Sequence, residues 1–67
     1  MIINCKIGTK SSTVLRVKGK RKLPKIGERI KGIPLIEYKK HSYHKWNGYL
    51  VIDYWEDERG RFYYLSL

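Results

Sequence analysis

The chain has 67 residues and a formal net charge of +9, with 15 Lys or Arg against six Asp or Glu. A chain this short forms one small domain with a small core. Its single cysteine excludes an internal disulfide, and no Cys/His cluster has zinc-ligand spacing. No apolar run approaches the roughly 20 residues of a membrane-spanning helix, so we expect a soluble cytoplasmic protein with no membrane partner.

The positive charge is concentrated in the first two thirds of the chain. Residues 1–45 contain thirteen basic and two acidic residues, whereas residues 46–67 contain two basic and four acidic residues. A positive field of this kind attracts polyanions, of which nucleic acid is the commonest in cells. The charge therefore predicts a nucleic-acid partner. The alternative explanation is solubility, because net charge keeps small domains apart.

Two alternating segments begin the chain. Apolar or small residues recur at every second position in each of them: Ile3, Cys5 and Ile7, then Thr13, Leu15 and Val17. The alternation predicts strands over residues 2–7 and 13–18, joined as a hairpin by the polar loop that starts at Gly8. Cys5 is expected to be a small core residue, because no activating neighbour is evident.

A strongly basic segment follows the second predicted strand. Residues 18–25 contain five basic residues together with Gly19 and Pro24, which favour a loop. The basic residues predicted to contact phosphates are Lys18, Lys20, Arg21, Lys22 and Lys25. The alternative is a solvated basic loop with no partner.

Residues 23–30 have the pattern Leu-Pro-x-x-Gly-x-x-apolar. The pattern resembles the segment that leads into a strand in assorted small bacterial and phage β domains, and the resemblance implies no role for any single residue. Gly32 and Pro34 argue against a helix over residues 30–36. We therefore expect the next strand over residues 35–45, with polar residues 39–42 forming a bulge or a widened arm.

The C-terminal part carries eight of the nine aromatic residues and two turn signals. Asn47-Gly48 predicts a two-residue type I′ loop, and residues 57–60 predict a three-residue bulged loop that ends at Gly60. Strands over residues 49–56 and 61–66 then complete a three-stranded antiparallel meander. The whole pattern predicts an all-β fold, a small five-stranded barrel of SH3-like or OB-like type. The alternative is an open sheet that forms a homodimer.

The two faces of the meander are distinguished by Asp53, because burying an unpaired carboxylate is costly. The face without Asp53 is assigned to the core: Leu50, Ile52, Tyr54, Phe62 and Tyr64. The wetter face is assigned to base stacking and phosphate contact: Lys40, His44, Trp46, Tyr49, Trp55 and Tyr63. Cross-strand packing is the alternative role of these aromatic residues. At the second turn, an Asp57–Arg61 ion pair is expected.

No catalytic signature is present. His41 and His44 lie three apart, so in a strand they would point to opposite faces and could not share a site. We expect no enzyme activity, no cofactor and no metal. The predicted function is nucleic-acid binding, of DNA or RNA. The alternative is a protein-interaction module or inhibitor of the kind that phages and mobile elements encode, which would bind a host protein through its aromatic patch.

Overall fold

Five β-strands form the regular structure of the described residues. The computed structural model of the chain describes residues 1–9, 11–19, 22–35 and 46–67. The strands are β1 (Ile2–Ile7), β2 (Ser12–Val17), β3 (Arg29–Pro34), β4 (Asn47–Asp57) and β5 (Gly60–Ser66). They form a closed ring in chain order, β1-β2-β3-β4-β5. The predicted all-β fold class is confirmed.

The ring closes between β1 and β5. Consecutive strands are antiparallel, and β1 pairs with β5 in parallel, with Asn4 opposite Phe62 and Ile7 opposite Leu65. An odd number of strands that alternate in direction brings the first and the last into the same direction, so the closing pair has to be parallel. Because the ring is closed, each strand has a hydrogen-bonded neighbour on both sides. A sheet without a free edge strand is protected from edge-to-edge association with another chain.

The core lies inside the ring and is built by alternation along the strands. Its buried residues are Ile3, Cys5, Ile7, Leu15, Val17, Ile30, Tyr49, Val51, Tyr63 and Leu65. The inward residues of β1 and the inward Leu15 and Val17 of β2 are those that the sequence predicts, and the predicted β1–β2 hairpin is confirmed. Cys5 is fully buried, as expected.

The structure has a third strand at Arg29–Pro34, where no strand was expected. The prediction placed a strand over residues 35–45, but β3 covers Arg29–Pro34, and residues 36–45 lie outside the described part. Gly32 and Pro34 served only as evidence against a helix over residues 30–36, so the alternation of this strand was not recognised. In the structure a Cβ on Gly32 would lie 2.8 Å from the carbonyl oxygen of Arg16 and 2.8 Å from the Leu15 side chain. β3 therefore passes so close to β2 at Gly32 that a side chain there has no room.

The first predicted turn is wrong, and the second has a loop one residue shorter than predicted. Asn47 and Gly48 belong to β4 and pair with Gly32 and Lys31 of β3, so they form no hairpin loop. The β4–β5 hairpin turns where predicted, but Asp57 pairs with Gly60, which leaves a two-residue loop. A three-stranded antiparallel sheet exists here, with β3 as its first strand.

The predicted core face of β4 is also wrong, and a β-bulge is the reason. Val51 pairs with Leu65 and Asp53 pairs with Tyr64, so Ile52 is an extra residue between them. An extra residue reverses the alternation of the strand. Tyr49 and Val51 therefore point inward before the bulge, and after it Tyr54 packs against the core. Strict alternation would place Tyr49 and Val51 on one face of β4 and Tyr54 on the other.

The burial of individual residues shows the extent of this error. Ile52 was assigned to the core and is 50% exposed. Leu50, Phe62 and Tyr64, assigned with it, are only partly buried. Tyr54 is also partly buried, but it packs against the core, so its assignment is confirmed. Tyr63 was assigned to the wet face and is fully buried.

Candidate nucleic-acid interface

An aromatic cluster lies on the outer side of the β4–β5 hairpin. The Trp55 and Phe62 rings are stacked, with centroids 5.7 Å apart, and Tyr64 meets Phe62 edge to face at 5.5 Å. Trp55 and Phe62 are cross-strand partners, and Tyr64 follows Phe62 on the same side of β5. Trp55 remains 46% exposed. The cluster thus holds one large ring in a fixed orientation and leaves it accessible to a ligand.

A groove of about 300 Å³ runs from this cluster across β1 to β2. Its centre follows a row of paired residues on the outer side of the ring: Val14, Asn4, Phe62 and Trp55. Its remaining lining residues are Ser12, Thr13, Arg59, Gly60 and Arg61. The groove therefore has an aromatic wall on the hairpin and a polar floor and far side on β1 and β2.

The polar lining residues supply hydrogen-bonding groups and positive charge. The side chain of Asn4 has both a donor and an acceptor, and the hydroxyl of Ser12 can serve as either. Arg59 is exposed at the hairpin turn, where its backbone N–H donates to the Asp57 carboxylate. None of the described lining residues is acidic. The groove is therefore suited to a flat ligand with polar edges and negative charge.

Arg61 is fixed on the other side of the same hairpin. Its guanidinium lies 4.1 Å from the centroid of the Tyr54 ring and 3.2 Å from the Glu56 carboxylate. It also donates a 3.4 Å hydrogen bond to the Tyr63 hydroxyl. The bonds to Tyr63 and Glu56 raise the pKa of Arg61, so its charge is permanent. The expected ion pair is therefore formed with Glu56 instead of Asp57, because the hairpin register differs by one residue.

A second groove, of about 290 Å³, is lined by cations. Lys18, Arg29 and Lys31 line it together with Val17 and Ile30, and all three basic residues are exposed. The backbone N–H of Lys18 donates a 2.8 Å hydrogen bond to the Lys31 carbonyl, which ties the end of β2 to β3. The Lys18 ammonium also lies 5.8 Å from the centre of the Trp46 ring, within cation–π range.

The outer side of β2 links the two grooves. Because side chains alternate along a strand, Val14, Arg16 and the following Lys18 project from the same side, opposite the buried Leu15 and Val17. Val14 lines the aromatic groove and Lys18 lines the basic one. At about 3.3 Å per residue, four residues correspond to roughly 13 Å. One extended ligand can therefore contact both grooves.

Of the predicted site residues that the structure describes, five are at least partly exposed and two are buried. Lys18, Lys22, Lys25 and Trp55 are exposed, and Trp46 is partly buried beside Lys18. Tyr49 and Tyr63 are 3% and 0% exposed, so neither ring can stack on a base, and that part of the prediction is wrong. Four predicted residues lie outside the described part of the chain: Lys20, Arg21, Lys40 and His44.

Sequence reasoning missed most of the residues that line the grooves. Arg29 and Lys31 alternate with the buried Ile30 and Gly32, a signal that the mistaken strand boundary concealed. Asn4 stands between the predicted inward residues Ile3 and Cys5 and was given no functional role, and Phe62 was assigned to the core. Nothing in the sequence alone reveals that these two are neighbours, because the closing β1–β5 pair joins positions 58 residues apart along the chain.

The described residues contain no helix that is long and apolar enough to cross a membrane. Within the same ranges, no three His, Cys, Asp or Glu residues are grouped so that they could hold a metal ion. The chain matches no protein-family model, no curated protein and no solved structure. The geometry and charge of the two grooves are therefore the features that indicate a function.

Proposed function

We propose that this protein binds nucleic acid, with its basic groove on the phosphate backbone. The observation that carries the proposal is the convergence of Lys18, Arg29 and Lys31 on one groove that has no acidic residue among its described lining. Their charges come from two neighbouring strand segments, and a backbone hydrogen bond joins the two segments. A polyanion that binds there meets three cations whose backbone positions are fixed before binding.

The charge of the whole chain supports the same partner. The net charge is +9, and the exposed Lys22 and Lys25 continue the basic surface beyond Lys18 in the chain. Lys and Arg that neutralise phosphates release condensed counterions, and this release drives most non-specific binding to nucleic acid. The four acidic residues of the second part all lie in residues 53–58, on β4 and its turn, and none of them belongs to the described lining of the basic groove.

The strand order supports the choice of one barrel type. An OB-fold is a Greek-key barrel, whereas the ring here follows the chain order without a crossover. Of the two predicted types, we therefore propose the SH3-like one. In such a barrel the two grooves lie on the outer side of the sheet, and the interior is filled by the core.

The test is a salt titration of binding to single-stranded and duplex polynucleotides. Lys18→Ala, Arg29→Ala and Lys31→Ala should each weaken binding to every sequence. Each should also reduce the slope of log affinity against log salt, by about 0.7 for a single strand or about 0.9 for a duplex. Lys6→Ala is the matched control, because it removes one positive charge from β1, which is not adjacent to β3.

Two results would contradict the proposal. The first is an absence of binding to DNA and RNA at low salt. The second is binding whose salt slope falls equally in Lys6→Ala and in the three groove variants, because net charge alone would then explain the affinity. Either result would favour the protein-interaction module, whose contacts to one partner would be saturable and insensitive to salt.

A further inference from the structure

We propose that the aromatic groove holds one unpaired base of a single-stranded nucleic acid, stacked on Trp55. This inference rests on the proposed function and specifies its ligand. The basic groove can bind phosphates of either a single strand or a duplex. The aromatic groove, with Trp55 as its wall, is the feature that can distinguish a single strand from a duplex.

The shape and rigidity of the aromatic wall suit one base. Trp55 is half-exposed, and its ring is held by the stack on Phe62, which is in turn held by Tyr64. Every nucleobase has a π-face that can stack on such a ring, whatever its sequence. The volume of about 300 Å³ is at the lower end of small-ligand pockets, which run from about 300 to 1,000 Å³. The wall is therefore ordered before the base arrives.

The polar floor suits the edge of a base. Asn4 lies between Val14 and Phe62 in the register of the ring, so its amide is exposed at the centre of the groove. A side-chain amide can pair with a donor and an acceptor on one base edge, and the Ser12 hydroxyl can meet either. In a duplex the pairing edges are occupied and the faces are stacked on neighbouring bases. Only an unpaired base offers both its face and its edge.

The charge around the groove also favours a nucleotide. Arg59 and Arg61 both line it, and Arg61 is paired with Glu56 whereas Arg59 has no ion pair with a described residue. Arg59 can therefore reach a phosphate next to the stacked base. The outer side of β2 leads from this groove to the basic one, so the same strand can place further phosphates against Lys18 and its neighbours.

The experiment compares ligands that differ only in their bases. Fluorescence anisotropy would measure the affinity of the wild-type protein for three short labelled ligands, made of DNA and again of RNA. They are a single strand, the matched duplex, and the single strand with consecutive abasic sites, which keeps its phosphates. The wild-type protein should bind the intact single strand roughly 5- to 150-fold more tightly than the abasic one.

The variants locate the effect in the groove. Trp55→Ala should lower the affinity for the intact single strand by the same roughly 5- to 150-fold and leave the abasic strand and the salt slope unchanged. Trp55→Phe should restore part of the loss. Asn4→Ala should reduce the differences in affinity among homopolymers of the four bases. Ile52→Ala is the control, because Ile52 is a similarly exposed apolar residue of β4 that is absent from the described lining of the groove.

The outcomes separate the two proposals. Equal wild-type affinity for the intact and abasic strands would overturn the stacking site and leave the phosphate groove standing, and this comparison requires no variant to fold. A duplex bound as tightly as the single strand, with Trp55→Ala folded and unaffected, would overturn it as well. Failure to bind any of the ligands at low salt would overturn the proposed function and this inference with it.

Discussion

The Tyr63 hydroxyl donates a 3.3 Å hydrogen bond to the carbonyl oxygen of Pro24, across 39 residues of chain. Both residues are fully buried, so this bond joins the basic segment, residues 18–25, to the centre of β5. A second anchor lies close by, where Val51 exchanges backbone hydrogen bonds with Gly27 and Glu28. The segment that carries Lys22 and Lys25 is therefore tied to the core at its C-terminal end.

Tyr63→Phe tests this anchor. The substitution removes the hydroxyl and leaves the buried Pro24 carbonyl without its partner, so the free energy of unfolding should fall by about 1–2 kcal/mol. Urea denaturation followed by circular dichroism would measure it. Tyr64→Phe is the control, because the Tyr64 hydroxyl forms no hydrogen bond with a described residue. Equal effects of the two substitutions would show that the bond adds nothing to stability.

Gly32→Ala tests the close approach of β3 to β2. The new methyl group would lie 2.8 Å from a backbone oxygen of Arg16, so a strand must shift, and a loss of about 1–3 kcal/mol is expected. Gly48→Ala is a matched control in the neighbouring strand, because nothing lies within 4 Å of its added Cβ. It should be neutral or slightly stabilising. A thermal melt that ranks the two variants in the opposite order would contradict the packing described here.

Val51→Ala and Ile52→Ala test the β-bulge. Val51 is fully buried, so its truncation should cost about 2 kcal/mol, whereas Ile52 is 50% exposed and should cost less than about 1 kcal/mol. Strict alternation along β4 would predict the reverse, with Ile52 in the core. Chemical denaturation of the two variants under identical conditions decides between the two registers.

Cys5 should make stability depend on pH in the alkaline range. Burial raises the pKa of the Cys5 thiol from 9.0 to about 11. Between these values the unfolded chain loses the thiol proton while the folded chain keeps it, so stability falls as pH rises from about 9 to 11. The total loss is about 3 kcal/mol.

The measurement for Cys5 is the difference in unfolding free energy between the wild type and Cys5→Ala at several pH values. The difference should be constant below pH 9 and should shift against the wild type up to about pH 11. The comparison cancels the titration of tyrosine and lysine, which both proteins share. Parallel stability curves throughout this range would contradict a buried neutral thiol.

The sequence predicted the N-terminal half of the core but not the C-terminal half. Along β1 and β2 the apolar residues alternate without interruption, so local periodicity is sufficient to identify Cys5 and Leu15 as inward residues. Along β4 the bulge at Ile52 reverses the alternation, and Asp53 directed the assignment to the wrong face. A bulge is a property of the pairing between two strands, so it cannot be recognised in the sequence of one strand alone.

The candidate site also has features that follow from the sequence and features that depend on the tertiary structure. The excess of positive charge and the aromatic richness of residues 43–65 are compositional, and these two properties are sufficient to predict a nucleic-acid partner and to include Trp55 among the candidate stacking residues. The role of Gly32 and the order of the ring were not predictable, because each depends on which backbone segment lies alongside.

The sequence by itself determined the all-β class, the first hairpin, the position of the last turn and the concentration of charge, because each of these follows from neighbouring residues. Only the tertiary structure decided which aromatic rings are exposed and which cations share a groove. Ring closure brings Asn4 beside Phe62, and the pairing of β3 with β2 brings Arg29 and Lys31 to Lys18. Such contacts join distant positions through backbone hydrogen bonds that any residue except proline can donate, so side-chain identity does not encode them locally.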